Sequence, residues 1–174
     1  MIHGTVLDGV DLADRPLYEL AVEYRRRTEA AGSLLIIDDR VDIALAAGAD
    51  GVHLGQTDLP VAAARRIAPD LIVGASSHSL EEALAAQAAG AGYVNIGPIF
   101  PTATKPDAVV LGVEAIPRLT PHLTIPWSTM GGINDSNIAR VVARGARHPA
   151  VMSAVTAATD VTAAAWILRR VIIS

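Results

Sequence analysis

Residues 46–55 read AAGADGVHLG and residues 88–97 read AAGAGYVNIG, so one ten-residue pattern occurs twice; GARHPAVMS at residues 145–153 is a looser third copy. In each copy an alanine-rich stretch reaches a glycine, which predicts a helix that ends at a residue with positive φ. A short apolar run follows within a few residues and predicts a buried strand. The repeated unit is therefore helix, glycine turn, strand and polar loop.

The same signals predict six strands that alternate with seven helices. The strands are expected at Leu34–Ile37, Gly51–Leu54, Leu71–Gly74, Tyr93–Ile96, Ile125–Met130 and Pro149–Met152, and the helices at about Pro16–Ala31, Arg40–Ala47, Leu59–Ala68, Leu80–Ala89, Gly112–Arg118, Asp135–Ala143 and Val161–Val171. Elements in this alternation build a parallel sheet through right-handed crossovers. The fold class is thus α/β, and we expect a (β/α) TIM-type barrel, with an open doubly wound sheet as the alternative.

The strand count is lower than such a barrel requires, since a closed barrel of this type has about eight strands. The stretch Ile2–Leu7 is only a weak candidate for a seventh, because it is short and contains Gly4. We therefore expect a barrel that is incomplete at its N-terminal side. Exposed strand edges then predict a homo-oligomer.

Composition narrows the class of protein. The 174 residues fit a single domain, 1–174, and a content of 51% hydrophobic but 3% aromatic residues predicts an interior of Ala, Val, Ile and Leu. The net charge is −4, and the basic cluster Arg25–Arg27 lies beside Glu23 and Glu29, which argues against a nucleic-acid partner. Without cysteine, a signal peptide or a membrane-spanning run, the expected location is the cytoplasm, with no membrane partner.

Polar residues follow each predicted strand, and in a parallel α/β barrel these loops meet at one mouth, where the chemistry lies. Asp39 and Asp58 follow neighbouring strands, and two close carboxylates repel unless a cation lies between them. Their oxygens suit Mg²⁺ together with substrate phosphates. The alternative is that each aspartate caps the helix that follows it.

Two loops predict contacts with phosphate groups. GGIN at residues 131–134 ends a strand and opens a helix, so its backbone N–H groups and the helix dipole favour a phosphate, with Ser153 after the last strand close by. GPIFPTATKPD at residues 97–107 places Thr102, Thr104 and Lys105 within four positions, and Lys105 supplies a cation for a second phosphate. The alternatives are an ordinary Gly-Gly turn and a solvated loop lysine.

Two histidines lie among these groups. His78, between Ser77 and Ser79, has the chemistry of a general acid or base near neutral pH. The alternative is that Ser79 caps the next helix and His78 packs beside it. His53 lies inside the strand GVHLG and is expected to fill an interior position of the barrel.

Together these motifs resemble one family. IDDRVDIALAAGADGVHLGQTDLP, GASSHSLEEA, GPIFPTATKPDA, GGIN and VMSAV, in this order between about Pro16 and Val171, are similar to the motifs of thiamine-phosphate synthase and its thiazole tautomerase-like relatives. The resemblance implies a (β/α) barrel transferase of thiamine biosynthesis that joins hydroxymethylpyrimidine diphosphate to thiazole phosphate. Diphosphate would leave with the help of Mg²⁺, and the thiazole nitrogen would capture the resulting pyrimidine-methyl cation.

The resemblance also implies a role for residues at matching positions. Asp39 and Asp58 look like magnesium ligands, and the candidate catalytic residues are Lys105, Ser76 and His78, of which Lys105 and Ser76 look like contacts to the diphosphate or pyrimidine side. The remaining positions look like substrate contacts, several of them on the thiazole side: Asp38, Thr102, Thr104, Gly132, Met152 and Ser153.

The chain departs from the family pattern in two places. Family synthases carry a Gln-Leu-Arg-x-Lys run on the preceding strand, whose basic residues hold the diphosphate, whereas Thr5–Gly9 contains no Arg or Lys; Asp38 stands where synthases usually have Asn. Fewer cations at the leaving group predict reduced synthase activity. Two alternatives follow: a thiazole tautomerase-like enzyme that uses His78, and a non-catalytic protein that binds phosphate ligands.

Overall fold

A computed structural model describes residues 4–9 and 12–173, in which strands alternate with helices as the repeat predicts. The strands are β1 (Gly4–Leu7), β2 (Leu34–Asp38), β3 (Gly51–Leu54), β4 (Ile72–Ser77), β5 (Tyr93–Ile96) and β6 (Trp127–Thr129). The helices are α1 (Asp14–Ala30), α2 (Val41–Ala46), α3 (Val61–Ile67), α4 (Leu80–Ala88), α5 (Ala115–Leu119), α6 (Ile138–Val142), α7 (Ser153–Thr156) and α8 (Val161–Ile173), with a 3₁₀ helix at Thr120–His122.

The described residues contain six strands, the number expected, but β1 takes the place of the strand predicted at Pro149–Met152. The weak candidate Ile2–Leu7 is a strand from Gly4 onward, and its first two residues lie outside the described residues. The strand predicted at Pro149–Met152 is wrong. Pro149 makes only an isolated parallel bridge with Thr129, formed by the His148 carbonyl and the Ala150 N–H, and pairing goes no further because β6 ends at Thr129 and α7 begins at Ser153.

The helix-ending glycines of the repeat are confirmed. In four turns a glycine with φ between 62° and 96° follows the helix, and the next N–H donates to the carbonyl five residues back, which is the Schellman arrangement. These bonds run from Ser33 to Thr28, Ala49 to Ala44, Ala91 to Ala86 and Ala146 to Val141, at 2.8 to 3.3 Å. The local pattern thus sets where each strand of the repeat begins.

The described residues form two compact units. The first contains the residues up to Ser76 together with Ala86–Tyr93, and the second contains Ser77–Ala85 together with the residues from Val94 onward. No helix of the described part of the chain is long and apolar enough to cross a bilayer.

In the first unit β1 to β4 are parallel neighbours in chain order. Their register places Asp38 opposite His53, and His53 opposite Gly74. Val52 and Leu54 on either side of His53 are at most 1% exposed and join the core formed with the helices. A strand buried on both faces is typical of parallel sheets, and here His53 occupies the face opposite to Val52 and Leu54.

One ion pair ties α1 to the sheet of the first unit. The Asp50 carboxylate accepts from Arg25 Nη1 at 2.7 Å and from the Leu35 backbone N–H at 2.7 Å. Arg26 and Arg27 instead pair with Glu23 on the helix surface. The arginine cluster is therefore neutralised by local carboxylates.

In the second unit β5 and β6 are parallel, with Asn95 opposite Ser128 and Ile96 opposite Thr129. Its core is aliphatic, and Ile96, Ile116 and Ile138 are fully buried within it. The GGIN turn does not open a helix directly, since α6 begins only at Ile138.

Candidate active site

A chain of three hydrogen-bonded side chains lies inside the first unit. His53 is 5% exposed, its Nε2 lies 3.0 Å from Ser76 Oγ, and its Nδ1 lies 2.9 Å from the Tyr93 hydroxyl. The His53 and Tyr93 rings are also stacked, with centroids 5.5 Å apart. The expectation that His53 fills an interior position is confirmed, and the structure adds that His53 contacts the predicted site residue Ser76.

The Tyr93 ring fits only because Gly74 has no side chain. A Cβ at Gly74 would lie 2.1 Å from Tyr93 Cζ and 2.4 Å from its hydroxyl oxygen. Burial, together with the Asp38 carboxylate, raises the pKa of the Tyr93 phenol above its ordinary value. The phenol therefore keeps its proton at neutral pH and can act as a hydrogen-bond donor.

The backbone of Ser76 is held separately from its hydroxyl. The Gln56 side-chain amide donates to the Ser76 carbonyl at 2.5 Å. Ser76 itself is 8% exposed. Both ends of the residue are thus fixed, which suits a group that must meet a ligand in one orientation.

Asp38 and Asp39 end β2 at the point where the chain turns toward α2. Asp39 has φ of 60°, in the left-handed region that few non-glycine residues occupy, and its N–H donates to the His53 carbonyl at 2.8 Å. Asparagine and aspartate are the non-glycine residues that tolerate this conformation best. Such positions are concentrated at functional sites.

The capping alternative is wrong for Asp58, which precedes the N-cap residue of α3 by two positions. Helix α2 has Arg40 at its N-cap position and α3 has Pro60, and neither helix has a side-chain capping hydrogen bond. Asp58 Oδ2 instead accepts from the Gly55 N–H at 2.6 Å, within its own loop. Helix capping therefore does not explain Asp58.

The carboxylates predicted to bind Mg²⁺, those of Asp39 and Asp58, lie on the loops that follow β2 and β3. Among residues 4–9 and 12–173 no group of three or more His, Asp or Glu side chains is arranged around one point. Two aspartates with substrate phosphates match the usual way in which proteins bind Mg²⁺, so the residue types fit this ion.

His78 and Ser79 lie at the start of α4 in the second unit. Ser79 Oγ accepts from the Glu82 N–H at 3.1 Å, which confirms that Ser79 caps the helix, and Glu82 accepts from the His78 N–H. His78 Nδ1 lies 2.5 Å from the Gly97 carbonyl oxygen. Because a carbonyl oxygen can only accept, Nδ1 carries a hydrogen, so in the neutral imidazole Nε2 of this exposed residue is the acceptor.

The loop after β5 carries Thr102, Thr104 and Lys105, the three residues that the sequence predicts there. Thr102 Oγ1 accepts from the Thr104 N–H at 3.4 Å, and the two hydroxyls are 3.5 Å apart. Lys105 is exposed on the same loop, and it is the only lysine in the sequence. A strongly cationic group thus stands on an accessible loop beside two hydroxyls.

Only glycine fits at position 132, because the backbone of Pro101 lies too close to leave room for a side chain. Gly132 has φ of 64°, and a Cβ there would lie 2.3 Å from the Pro101 carbonyl oxygen. The loops that carry Thr102 and Gly132 are therefore adjacent within the second unit. Because α6 begins at Ile138 and has five residues, the expected helix-dipole contribution at Gly132 is wrong.

Met152 and Ser153 do not follow a strand. Ser153 begins the four-residue α7, and both residues are exposed, with Met152 at 50%. Their backbone carbonyls accept hydrogen bonds from Thr156 and Ala157 in the same helical turn. The prediction that Ser153 lies at a strand end is thus wrong, while its accessibility is compatible with ligand contact.

Comparisons with known proteins decide the family. The family model for thiamine monophosphate synthase matches residues 6–155. The chain belongs to this family. Thiamine-phosphate synthase from Chloroflexus aurantiacus is 50% identical over 159 residues, which is 91% of this chain and 74% of that protein. The synthase from Pyrococcus abyssi is 45% identical over 162 residues, 93% of this chain and 78% of that protein.

Solved structures agree with the family assignment. Thiamine phosphate pyrophosphorylase from Pyrococcus furiosus has a TM-score of 0.93 and 41% identity, covering 98% of this chain and 82% of that one. A 3-hexulose-6-phosphate synthase matches with a TM-score of 0.75 at 20% identity, and this likeness concerns the fold alone. The resemblance read from the sequence and the TIM-type fold class are confirmed, and the chain is a homologue of the transferases that carry the synthase name.

Three features of this candidate site were not predicted from the sequence: the presence of Tyr93, the presence of Gln56 and the contacts of His53. The repeat contained a signal for the histidine. His53 aligns with Asn95 in the second copy, so each copy places a polar side chain in the middle of an apolar strand. Both residues are 5% exposed, and Asn95 Oδ1 has no hydrogen-bond partner among the described residues.

Proposed function

We propose that this chain catalyses the coupling of hydroxymethylpyrimidine diphosphate to thiazole phosphate. The bond between the pyrimidine methylene carbon and the diphosphate oxygen breaks, diphosphate takes the electron pair, and the thiazole nitrogen forms the new bond to carbon. The observation that carries the proposal is 45–50% identity to thiamine-phosphate synthases over nine-tenths of the chain. Thiamine phosphate and diphosphate are the products.

The leaving diphosphate requires positive charge, because one further negative charge develops on this already anionic group as the carbon–oxygen bond breaks. We assign Asp39 and Asp58 as the residues that would hold Mg²⁺, which supplies charge neutralisation when bound. Lys105 supplies a second cation from its exposed loop. Ser76 binds the pyrimidine or diphosphate side through its hydroxyl, held by Gln56 and His53.

The thiazole phosphate is assigned to the second unit. Thr102 and Thr104 would donate hydroxyl groups to it, and the Gly132 backbone, Met152 and Ser153 would contact its phosphate end. The close approach of Gly132 to Pro101 supports a shared role for these two loops. Asp38, at the end of β2, is assigned to substrate binding because its register places it opposite His53.

A second candidate function is thiazole tautomerisation, in which a base moves a proton on the thiazole phosphate. The fixed tautomer of His78, with Nε2 as an acceptor on an exposed residue, favours this role. The same geometry serves a binding role in the synthase reaction. Activity of the His78→Gln variant decides between the two, because loss of tautomerisation with retained coupling would assign His78 to the second reaction.

We also propose the binding partners, the cellular location and the oligomeric state of the enzyme. Its partners are small phosphorylated molecules rather than nucleic acid, because the arginine cluster of α1 is paired with Glu23 and Asp50. The proposed location is the cytoplasm and the proposed assembly is a homo-oligomer, for the reasons of composition and strand edges given above.

The sole lysine offers a direct test of the diphosphate site. Reductive methylation with ¹³C-formaldehyde labels Lys105 and the terminal amine, and the terminal amine serves as the internal control. Inorganic diphosphate with Mg²⁺ should shift the Lys105 methyl signal and leave the terminal signal in place. The Lys105→Ala variant should lose coupling activity by at least about tenfold, as expected for one charge-assisted contact, whereas Arg118→Ala, which removes an exposed cation of the second unit, should not. Equal activity of the two variants would contradict the assignment.

A further inference from the structure

The hydrogen-bond chain formed by Tyr93, His53 and Ser76 has a direction. Neutral imidazole has one N–H donor and one acceptor nitrogen, so the chain exists in one of two forms. In the first, the Tyr93 hydroxyl donates to Nδ1 and Nε2–H donates to Ser76 Oγ. In the second, Ser76 donates to Nε2 and Nδ1–H donates to the Tyr93 oxygen. The forms differ in whether the Ser76 hydrogen remains available to a ligand.

The chemistry of the phenol favours the first form. A phenol is a stronger hydrogen-bond donor and a weaker acceptor than an aliphatic hydroxyl, and an imidazole nitrogen is a strong acceptor. The Tyr93 hydroxyl lies 2.9 Å from Nδ1, which is a full hydrogen bond, and the phenol is stacked on the His53 ring and fixed over Gly74. Burial and the Asp38 carboxylate both disfavour loss of the phenol proton.

We propose that Tyr93 and His53 are positioning residues that hold Ser76 with its hydroxyl hydrogen directed to an acceptor atom of the substrate. Nε2–H occupies one lone pair of Ser76 Oγ at 3.0 Å, so the O–H must point away from His53. Gln56 holds the Ser76 carbonyl from the other side. The inference rests on the proposed function, in which Ser76 contacts the diphosphate or pyrimidine side.

The form of the His53 ring can be measured without any activity. Long-range ¹⁵N–¹H correlation spectra of the histidine-labelled full chain should show an Nε2–H tautomer for His53, with its signal identified by its loss in His53→Gln. The Tyr93→Phe variant keeps the ring over Gly74 but removes the donor, and it should shift the ring toward a mixture of tautomers. An Nδ1–H tautomer in the unmodified chain would overturn the proposal, whether or not the chain is a synthase.

Kinetics then separate positioning from mere structural support. Tyr93→Phe should lower kcat/KM for hydroxymethylpyrimidine diphosphate by about three- to tenfold, the range of one lost hydrogen bond. Ser76→Ala should lower it at least as much, and the double variant should be no worse than Ser76→Ala, because Tyr93 acts through Ser76. Tyr24→Phe, a half-buried tyrosine elsewhere in the first unit, is the matched control and should leave kcat/KM unchanged.

Additive effects of Tyr93→Phe and Ser76→Ala would overturn the coupling, as would an effect of Tyr24→Phe equal to that of Tyr93→Phe. Urea unfolding of each variant establishes that it is folded before it is assayed. If the unmodified chain lacks coupling activity, the proposed function fails while the tautomer of His53 still decides the orientation of Ser76.

Discussion

Replacing Gly74 with alanine would put a methyl group into the space that the Tyr93 ring occupies. The new Cβ would lie 2.1 Å from Cζ, 2.3 Å from Cε1 and 2.4 Å from the hydroxyl oxygen of Tyr93, all within van der Waals overlap. The ring must therefore move off the strand, and the 2.9 Å contact between its hydroxyl and His53 must break. Gly74→Ala thus tests whether this hydrogen-bond chain is as tightly built as its distances indicate.

The expected loss of stability follows from three contributions. Overpacking of a core costs about 1–3 kcal/mol, the broken hydrogen bond costs about 1 kcal/mol, and the lower entropy of the unfolded alanine chain returns about 0.4–1 kcal/mol. The free energy of unfolding should therefore fall by about 1–3.5 kcal/mol. Urea denaturation followed by circular dichroism measures this difference at constant m-value.

Gly92 provides the matched control. It lies one residue before Tyr93, and a Cβ there would come no closer than 3.4 Å to its nearest neighbour, Ile72 Cγ2. Gly92→Ala should therefore change stability by less than about 1 kcal/mol. In a Tyr93→Ala background Gly74→Ala should become nearly neutral, since the clash has been removed. Equal stability of Gly74→Ala and Gly92→Ala would show that Gly74 is not needed to accommodate the Tyr93 ring.

Four further predictions address the second glycine, the ion pair, the domain and the assembly. Gly132→Ala should lower the free energy of unfolding by about 1–3 kcal/mol more than Gly112→Ala does. Both glycines have positive φ, but only a Cβ at position 132 would meet the Pro101 carbonyl. Equal losses of stability in urea titrations would contradict this. Asp50→Ala should cost about 1–3 kcal/mol by leaving two donors without their acceptor, and an unchanged midpoint would count against it. Calorimetry should show one cooperative transition for residues 1–174, since the chain passes between the two units at three points, and two separate transitions would reject a single domain. Light scattering should give a mass above that of one 18.1 kDa chain, and a clean monomer at micromolar concentration would reject self-association.

The alternation of helices and strands could be predicted because its signals are local. A glycine that ends a helix at positive φ is read directly from the pattern AAG at Gly32, Gly48 and Gly90, and these three turns and the one at Gly145 all close as expected. The sequence could not predict that a strand forms at Gly4–Leu7 and not at Pro149–Met152, because strand formation there depends on pairing with a neighbouring strand. Gly4–Leu7 forms a strand through its partner β2 despite a weak sequence, while Pro149–Met152 makes only one bridge, to Thr129, before α7 begins at Ser153.

The site was predictable where it depends on residue type and not where it depends on contacts across the sheet. Asp39, Asp58 and Lys105 stand out as charged residues after strands, and the family motifs select them. The hydrogen bond between His53 and Tyr93 joins residues that are forty positions apart in the sequence, and it requires the Tyr93 ring to lie over Gly74. Neither the periodicity nor the spacing of the sequence predicts this contact. The helix predicted to start at residue 135 begins instead at Ile138, for a similar reason. Asn134 and Asn137 form hydrogen bonds to each other and to the Gly132 carbonyl, and these bonds hold the preceding residues in a turn.

The most direct test of the proposed function is a single assay of the unmodified 174-residue chain. The purified protein is incubated with hydroxymethylpyrimidine diphosphate, thiazole phosphate and Mg²⁺, and thiamine phosphate is quantified by mass spectrometry alongside released diphosphate. The two products should form in equal amounts, and turnover should be lost with EDTA and in Asp58→Ala. Absence of thiamine phosphate from a folded chain that is given both substrates and the metal would contradict the proposed function.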